Sequence, residues 1–199
     1  MFFEVNPVLL KGENVRLEPL SQEHAQGLFN RGQSVDDWSY MPRACFVDMA
    51  DTRQWIDEAL EAPGQRPFAI VETGKNKAVG STRFLNIRNE HRSLEIGWTW
   101  LGKEWQRTAV NTEVKSLLLA HAFERLGCVR VEFKTDGRNL RSQRALERIG
   151  ATREGVLRNH MIVQSNFVRD SVYFSVLDRE WLEVKERLQD LRSRQGSSH

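Results

Sequence analysis

Cysteine is scarce: 199 residues hold only Cys45 and Cys128. The two lie far apart and match no metal-ligand spacing, so neither a disulfide framework nor a metal organises the chain, and two buried or half-buried thiols are expected. Apolar runs of membrane-spanning length are missing, which excludes a membrane partner. No basic stretch leads into an apolar one near the start, so no secretory signal is read and the expected location is cytoplasmic. Excess charge of one sign is missing too. Lys and Arg number 29 against 27 Asp and Glu, a formal net charge of +2. Without a basic stripe, direct nucleic-acid binding is not expected. Internal repeats, linkers and low-complexity stretches are also absent. What remains is 40% hydrophobic and 28% charged residues, the composition of a single globular domain able to bury a core without staples.

Hydrophobic periodicity gives the element order. Asn14–Pro19 alternates as a strand. Ser21 can cap a helix carrying Leu20, Ala25, Leu28 and Phe29, ended by Gly32. Residues 33–47 read as loop, with Trp38 and Tyr40 beside Asp36 and Asp37. Asp48 or Asp51 caps a second helix with Trp55, Ile56, Ala59 and Leu60, stopped by Pro63-Gly64. PFAIVET and AVGSTRFL flank GKNK, a hairpin signal. A strand around Glu95 and a helix over about 110–126 follow. Gly127 fits the position past that helix end. CVRVEFKT (128–135) alternates as a strand, Asn139–Ile149 reads as a helix closed by Gly150, and residues 161–177 hold two strands around Ser165-Asn166. From Asp178 an amphipathic helix places Trp181, Leu182, Leu188 and Leu191 on one side, and RQGSSH forms a disordered tail. The order β-α-α-β-β-β-α-β-α-β-β-α implies one α+β domain with a largely antiparallel sheet.

The centre of the chain is Leu94–Leu119. Leu94, Ile96 and Trp98 alternate with Glu95, Gly97 and Thr99, a loop follows, and Val110, Val114, Leu117 and Leu118 recur at helical spacing. The first turn of such a helix has backbone N–H groups without intrahelical partners and a partial positive charge. It can hold a phosphate of a nucleotide-like ligand.

Four stretches in order, LEIGWTW (94–100), WQRTAVNTEVK (105–115), GRNLRSQRALERIGATREGVLRNHMI (137–162) and RDSVYFSVL (169–177), together with GENVRLEPL (12–20), resemble the GNAT superfamily of acetyltransferases, and within it the RimJ/RimL-type branch. The resemblance spans about Gly12 to Asp178. It implies a GNAT-type fold, a mostly antiparallel mixed central sheet flanked by helices and splayed at the central strand. It implies acetyl-coenzyme A as cosubstrate, no metal, and transfer of an acetyl group to a protein N-terminus or a small-molecule amine. A non-catalytic acyl-coenzyme A-binding module is the alternative, and a homodimer stays open.

On this resemblance Gln106, Arg107, Thr108, Ala109, Val110 and Asn111 form the pyrophosphate loop, with Ala109 where the family carries glycine. If position 109 needs positive φ, alanine there costs roughly 1–2 kcal/mol. Trp98, Thr99 and Trp100 pair through their backbone with the pantetheine arm, Trp98 itself reading as core. Glu95 is the candidate general base, since acyl transfer requires the amine to lose a proton. Met161 stands where some relatives carry a glutamate. Asn139 bonds the pantetheine or caps its helix, and Ser142 is the candidate acid for the departing thiolate. Trp38, Tyr40 and His160 are candidates for the acceptor side.

Overall fold

The computed structural model describes residues 3–196, with side chains through Arg194. Its strands are β1 (Leu10–Lys11), β2 (Val15–Pro19), β3 (Arg66–Glu72), β4 (Lys77–Arg88), β5 (Ser93–Leu101), β6 (Arg130–Asp136), β7 (Thr152–Val163) and β8 (Phe167–Leu177). They form one sheet in the order β1-β2-β3-β4-β5-β6-β8-β7. Every pairing is antiparallel except β5 with β6. That exception follows from connectivity, because parallel neighbours need a crossover and a helix supplies it.

The helices are α1 (Ala25–Arg31), α2 (Val35–Trp38), α3 (Met49–Glu61), α4 (Ala109–Ala120), α5 (Leu140–Arg148) and α6 (Trp181–Gly196). Strand alternation distributes the core over two faces. On β3, Phe68 and Ile70 join the cluster under α4, α5 and α6, while Ala69 and Val71 join the one under α1 to α3. The second cluster centres on Trp38, Phe46, Trp55 and Trp100, whose ring centroids lie 4.9–6.4 Å apart in the contacting pairs.

Local signals place several boundaries. The Asp48 side chain accepts from the Asp51 N–H at 2.8 Å and starts α3. Gly127 and Gly150 adopt φ of +68° and +95° just past their helices, a conformation glycine takes without steric cost. The two thiols are free, Cys128 buried and Cys45 half-buried. Burial pushes the Cys128 thiol up to about 12.

Four sequence expectations need correction. The stretch 33–47 is not all loop, since α2 forms one turn there. β7 begins at Thr152, well before 161; its leading half is an exposed edge that pairs only with β8, so it lacks an apolar face to betray it. Leu182 is 74% exposed and does not belong to the packed side of α6, which is Trp181, Val184 and Leu188. Arg194–Gly196 continue α6 instead of starting a tail, and the rest of that expected tail lies outside the described residues. The helix after β5 also changes its winding, with His121–Arg125 forming a π turn. No helix among the described residues is long and apolar enough to cross a membrane.

Candidate active site

The site begins where β5 and β6 stop pairing. Their parallel register runs only from Ser93↔Arg130 to Glu95↔Glu132. Beyond Glu95, β5 follows β4 instead and carries a bulge: Arg83 faces Gly97, yet Ser81 faces Trp100. The extra residue forces one non-glycine residue into the left-handed region, and it is Trp98, φ +51°. Trp98 is therefore half-buried at the crevice and not the core residue expected; the Arg83 guanidinium lies 4.6 Å from its ring centroid and 5.0 Å from that of Trp55. The parted strands open a crevice of about 600 Å³.

Glu95 is at its floor, 2% exposed. One oxygen, Oε2, accepts from Asn86 Nδ2 at 2.7 Å and lies 3.6 Å from Lys134 Nζ. Gly97 keeps the space beside it open: a Cβ would come 3.0 Å from Leu85 Cδ2 and 3.1 Å from Glu95 Oε1, so either side chain would have to shift. Deeper on β6 and β8, Arg169 is 4% exposed, with Nε donating to Ser171 Oγ at 3.2 Å and lying 4.0 Å from Asp136 Oδ2. Burial works against the Asp136 charge, but hydrogen bonds from Arg138 outweigh it and hold the carboxyl below its ordinary range.

The mouth is the turn into α4. Arg107 takes φ +61°. Thr108 is extended and caps the helix, its hydroxyl accepting from the Val110 N–H at 3.3 Å and donating to the Trp105 carbonyl at 2.8 Å. Ala109 opens the helix in ordinary helical geometry, so its methyl group carries no left-handed penalty. Gln106 ties three elements together: Nε2 donates to Asp37 Oδ1 at 2.6 Å and to the Leu101 carbonyl at 2.9 Å, while Oε1 accepts from Arg141 at 2.8 Å. Across the crevice Asn139 caps α5, its Oδ1 accepting from the Ser142 N–H at 3.0 Å.

The expected residues Glu95, Trp98, Thr99, Trp100, Gln106, Arg107, Thr108, Asn111, Asn139, Ser142 and Tyr40 all line the crevice, as does Met161. Ala109 and Val110 do not, and the Val110 side chain is buried in the core. Trp38 is 1% exposed inside the aromatic cluster, away from the lining. His160 is also outside it: its Nδ1 lies 3.0 Å from Ser171 Oγ, and burial, then Lys134 and Arg169, lower its basicity.

Several charged lining residues escaped the sequence reading, among them Lys134, Asp136, Arg169 and Lys115. Lys115, on the second turn of α4, is 7% exposed, and Nζ donates to Thr99 Oγ1 at 2.9 Å. Burial lowers its ammonium to about 7. The signal was present in the spacing: Asn111, Lys115, Leu118 and Ala122 form one helical stripe, and its last two members are core.

The crevice can take a long ligand with a polar arm and an anionic end. It has the turn and first amides of α4 at one end, arginines on α5 beside them, and an unpaired strand edge between. Asp37 Oδ2 is buried there without a partner among the described residues, as expected where a ligand completes the polar contacts.

Comparison with known proteins agrees with this geometry. The family model for the acetyltransferase (GNAT) domain matches residues 14–152. YdaF of Bacillus subtilis, provisionally named a ribosomal N-acetyltransferase, is 35% identical over 172 residues, covering 83% of this chain and 90% of that protein. The crystal structure of a GCN5-related N-acetyltransferase from Brucella melitensis matches with a TM-score of 0.89 and 30% identity, over 94% of this chain and 86% of that one. Spermidine N-acetyltransferase from Vibrio cholerae, in complex with CoA and spermine, shares the fold: TM-score 0.71, 16% identity, 86% of this chain and 99% of that one.

Proposed function

The chain belongs to the GNAT acetyltransferase family, and we propose that it moves an acetyl group from acetyl-coenzyme A to a primary amine with Glu95 as general base. The observation that carries this reading is the crevice at the parting of β5 and β6, which has a buried carboxylate on its floor and a capped helix start at its mouth. When bound, acetyl-coenzyme A supplies an activated thioester carbonyl. The chain's own residues do the rest. The first amides of α4 and the guanidinium of Arg107 hold the diphosphate. The bulge at Trp98 leaves backbone groups out of the ladder, and the segment Trp98–Trp100 aligns the pantetheine arm along that edge. Asn139 both caps α5 and offers its amide to the arm.

Glu95 takes the proton that the acceptor amine must lose, and the Ser142 hydroxyl provides a proton for the leaving sulfur. Asp36 and Asp37 on α2 and Tyr40 just after it lie on the lining, and the two carboxylates favour a cationic acceptor. The whole chain is read as one N-acetyltransferase domain of the RimJ/RimL-type branch, working in the cytoplasm. Similarity to YdaF favours a protein N-terminus over a small amine as acceptor.

The test is incubation with acetyl-coenzyme A and a panel of peptide N-termini and small amines, with products identified by mass spectrometry. Acetylated products, reduced in Glu95→Gln, are expected. Coenzyme binding without turnover on any member of a broad panel would overturn transfer and favour a non-catalytic acyl-coenzyme A-binding module.

A further inference from the structure

Three cations sit deep in the crevice. Lys134 faces Glu95 at 3.6 Å and Arg169 faces Asp136 at 4.0 Å. Lys115 has no carboxylate within ion-pair distance among the described residues. Its ammonium has three donors and one acceptor there, Thr99 Oγ1 at 2.9 Å. The other contact is the Phe133 ring, 5.5 Å from Nζ to the centroid. The hydrogen-bond chain continues from Thr99 Oγ1 to Thr82 Oγ1 at 2.8 Å and on to the Gly97 carbonyl at 3.5 Å, so it ends at the bulge that opens the crevice. A buried cation with spare donors, lining a cleft and tied to the strand edge, is an incomplete site.

We propose that Lys115 is a cofactor-binding residue: its ammonium donates to a carbonyl oxygen of the pantetheine arm of acetyl-coenzyme A. This rests on the acetyl-coenzyme A reading above. The pantetheine arm presents amide carbonyls and no cation, so it complements unused N–H donors. Burial holds the free ammonium at about 7, so much of the population is the neutral amine at neutral pH and above. A carbonyl acceptor and a polyanionic ligand nearby both favour the charged form.

The other ionisable groups around the crevice are Asp36 and Asp37 on α2, Tyr40 after it, Glu95 on β5, Arg107 before α4, Lys134 and Asp136 on β6, Arg141, Arg144 and Arg148 on α5 and Arg169 on β8. From β4, Arg83 is stacked between Trp55 and Trp98. On α4 itself, Glu113 is engaged by the Asn14 side chain at 2.9 Å. None of these is within ion-pair distance of Lys115.

The experiment is titration calorimetry with coenzyme A at pH 8, in two buffers of different ionisation enthalpy, on wild type and Lys115→Met. The comparison between the two chains cancels protons exchanged by the ligand phosphates. Wild type is expected to take up more protons per chain than the variant. The variant is expected to bind roughly tenfold or more weakly, the loss of a charge-assisted hydrogen bond. Wild-type affinity should also fall as pH rises above about 7. Circular dichroism establishes that the variant is folded; if it is not, Lys115→Gln takes its place in the same comparison. Binding with equal affinity in both chains overturns this inference and leaves the cofactor reading standing. No binding by either chain overturns both.

Discussion

Glu95 combines burial, a fixed orientation from Asn86 and a place on the crevice floor. Replacing it with glutamine keeps the shape and removes the basic oxygen. Glu95→Gln should lower kcat by about 100-fold or more while leaving the acetyl-coenzyme A Kd within about twofold, measured by steady-state kinetics and calorimetry. Unchanged kcat would remove Glu95 from proton transfer. Lys115 makes a separate prediction about stability. The unfolded lysine keeps its proton to near 10.5, whereas the folded one loses it near 7. Between those values the unfolded state binds more protons, so stability rises with pH, by about 3 kcal/mol from pH 7 to 9.5. Urea midpoints across that range should climb for wild type relative to Lys115→Met, since the other titrating groups, Cys128 among them, act equally on both chains. The neighbours Leu94 and Ile96 mark the strand that carries Glu95, and the family resemblance singled it out as the candidate base. The helical stripe of Asn111, Lys115, Leu118 and Ala122 points Lys115 inward, but its partners Thr99 and Phe133 come from strands distant in sequence, which the spacing does not name.

The turn into α4 shows the same division between local and distant causes. Thr108 is a cap by residue type and position, and it caps. Thr108→Ala should cost about 1 kcal/mol in denaturant unfolding. The left-handed residue next to it is Arg107, not Ala109. Ala109→Gly should therefore leave coenzyme affinity within about twofold and cost up to about 1 kcal/mol of stability, while a clear gain in affinity would show that the methyl group obstructs the ligand. The left-handed turn at Trp98 was hidden in a sequence that alternates cleanly from Leu94 to Thr99, because a bulge is a property of the register with β4. β7 was half-missed for a related reason. Thr152–Met161 has charged and apolar residues on both faces and is held by one neighbour, so no periodicity marks it.

At the scale of the molecule, the order of elements was largely legible because the longer helices and most strands bury one face, and α4 then supplies the crossover between the parallel strands β5 and β6. The acceptor side was less legible, because it depends on contacts between distant segments. The amide of Gln164, at the tip of the β7–β8 hairpin, donates to the carbonyls of Trp38, Met41 and Arg43 at 2.8, 2.8 and 2.6 Å. That clamp holds the hairpin on the segment bearing Tyr40 and Met41, both on the crevice lining. Gln164→Ala should speed amide exchange in residues 38–43 and raise the acceptor KM, with coenzyme affinity unchanged. The claim beneath all of these is that acetyl-coenzyme A lies along the parted edge of β5 with its diphosphate at the start of α4. Amide hydrogen exchange with and without acetyl-coenzyme A measures this directly. Slower exchange concentrated in residues 98–111 and at the start of α5 is expected, and unchanged exchange there in a saturated sample would contradict the account.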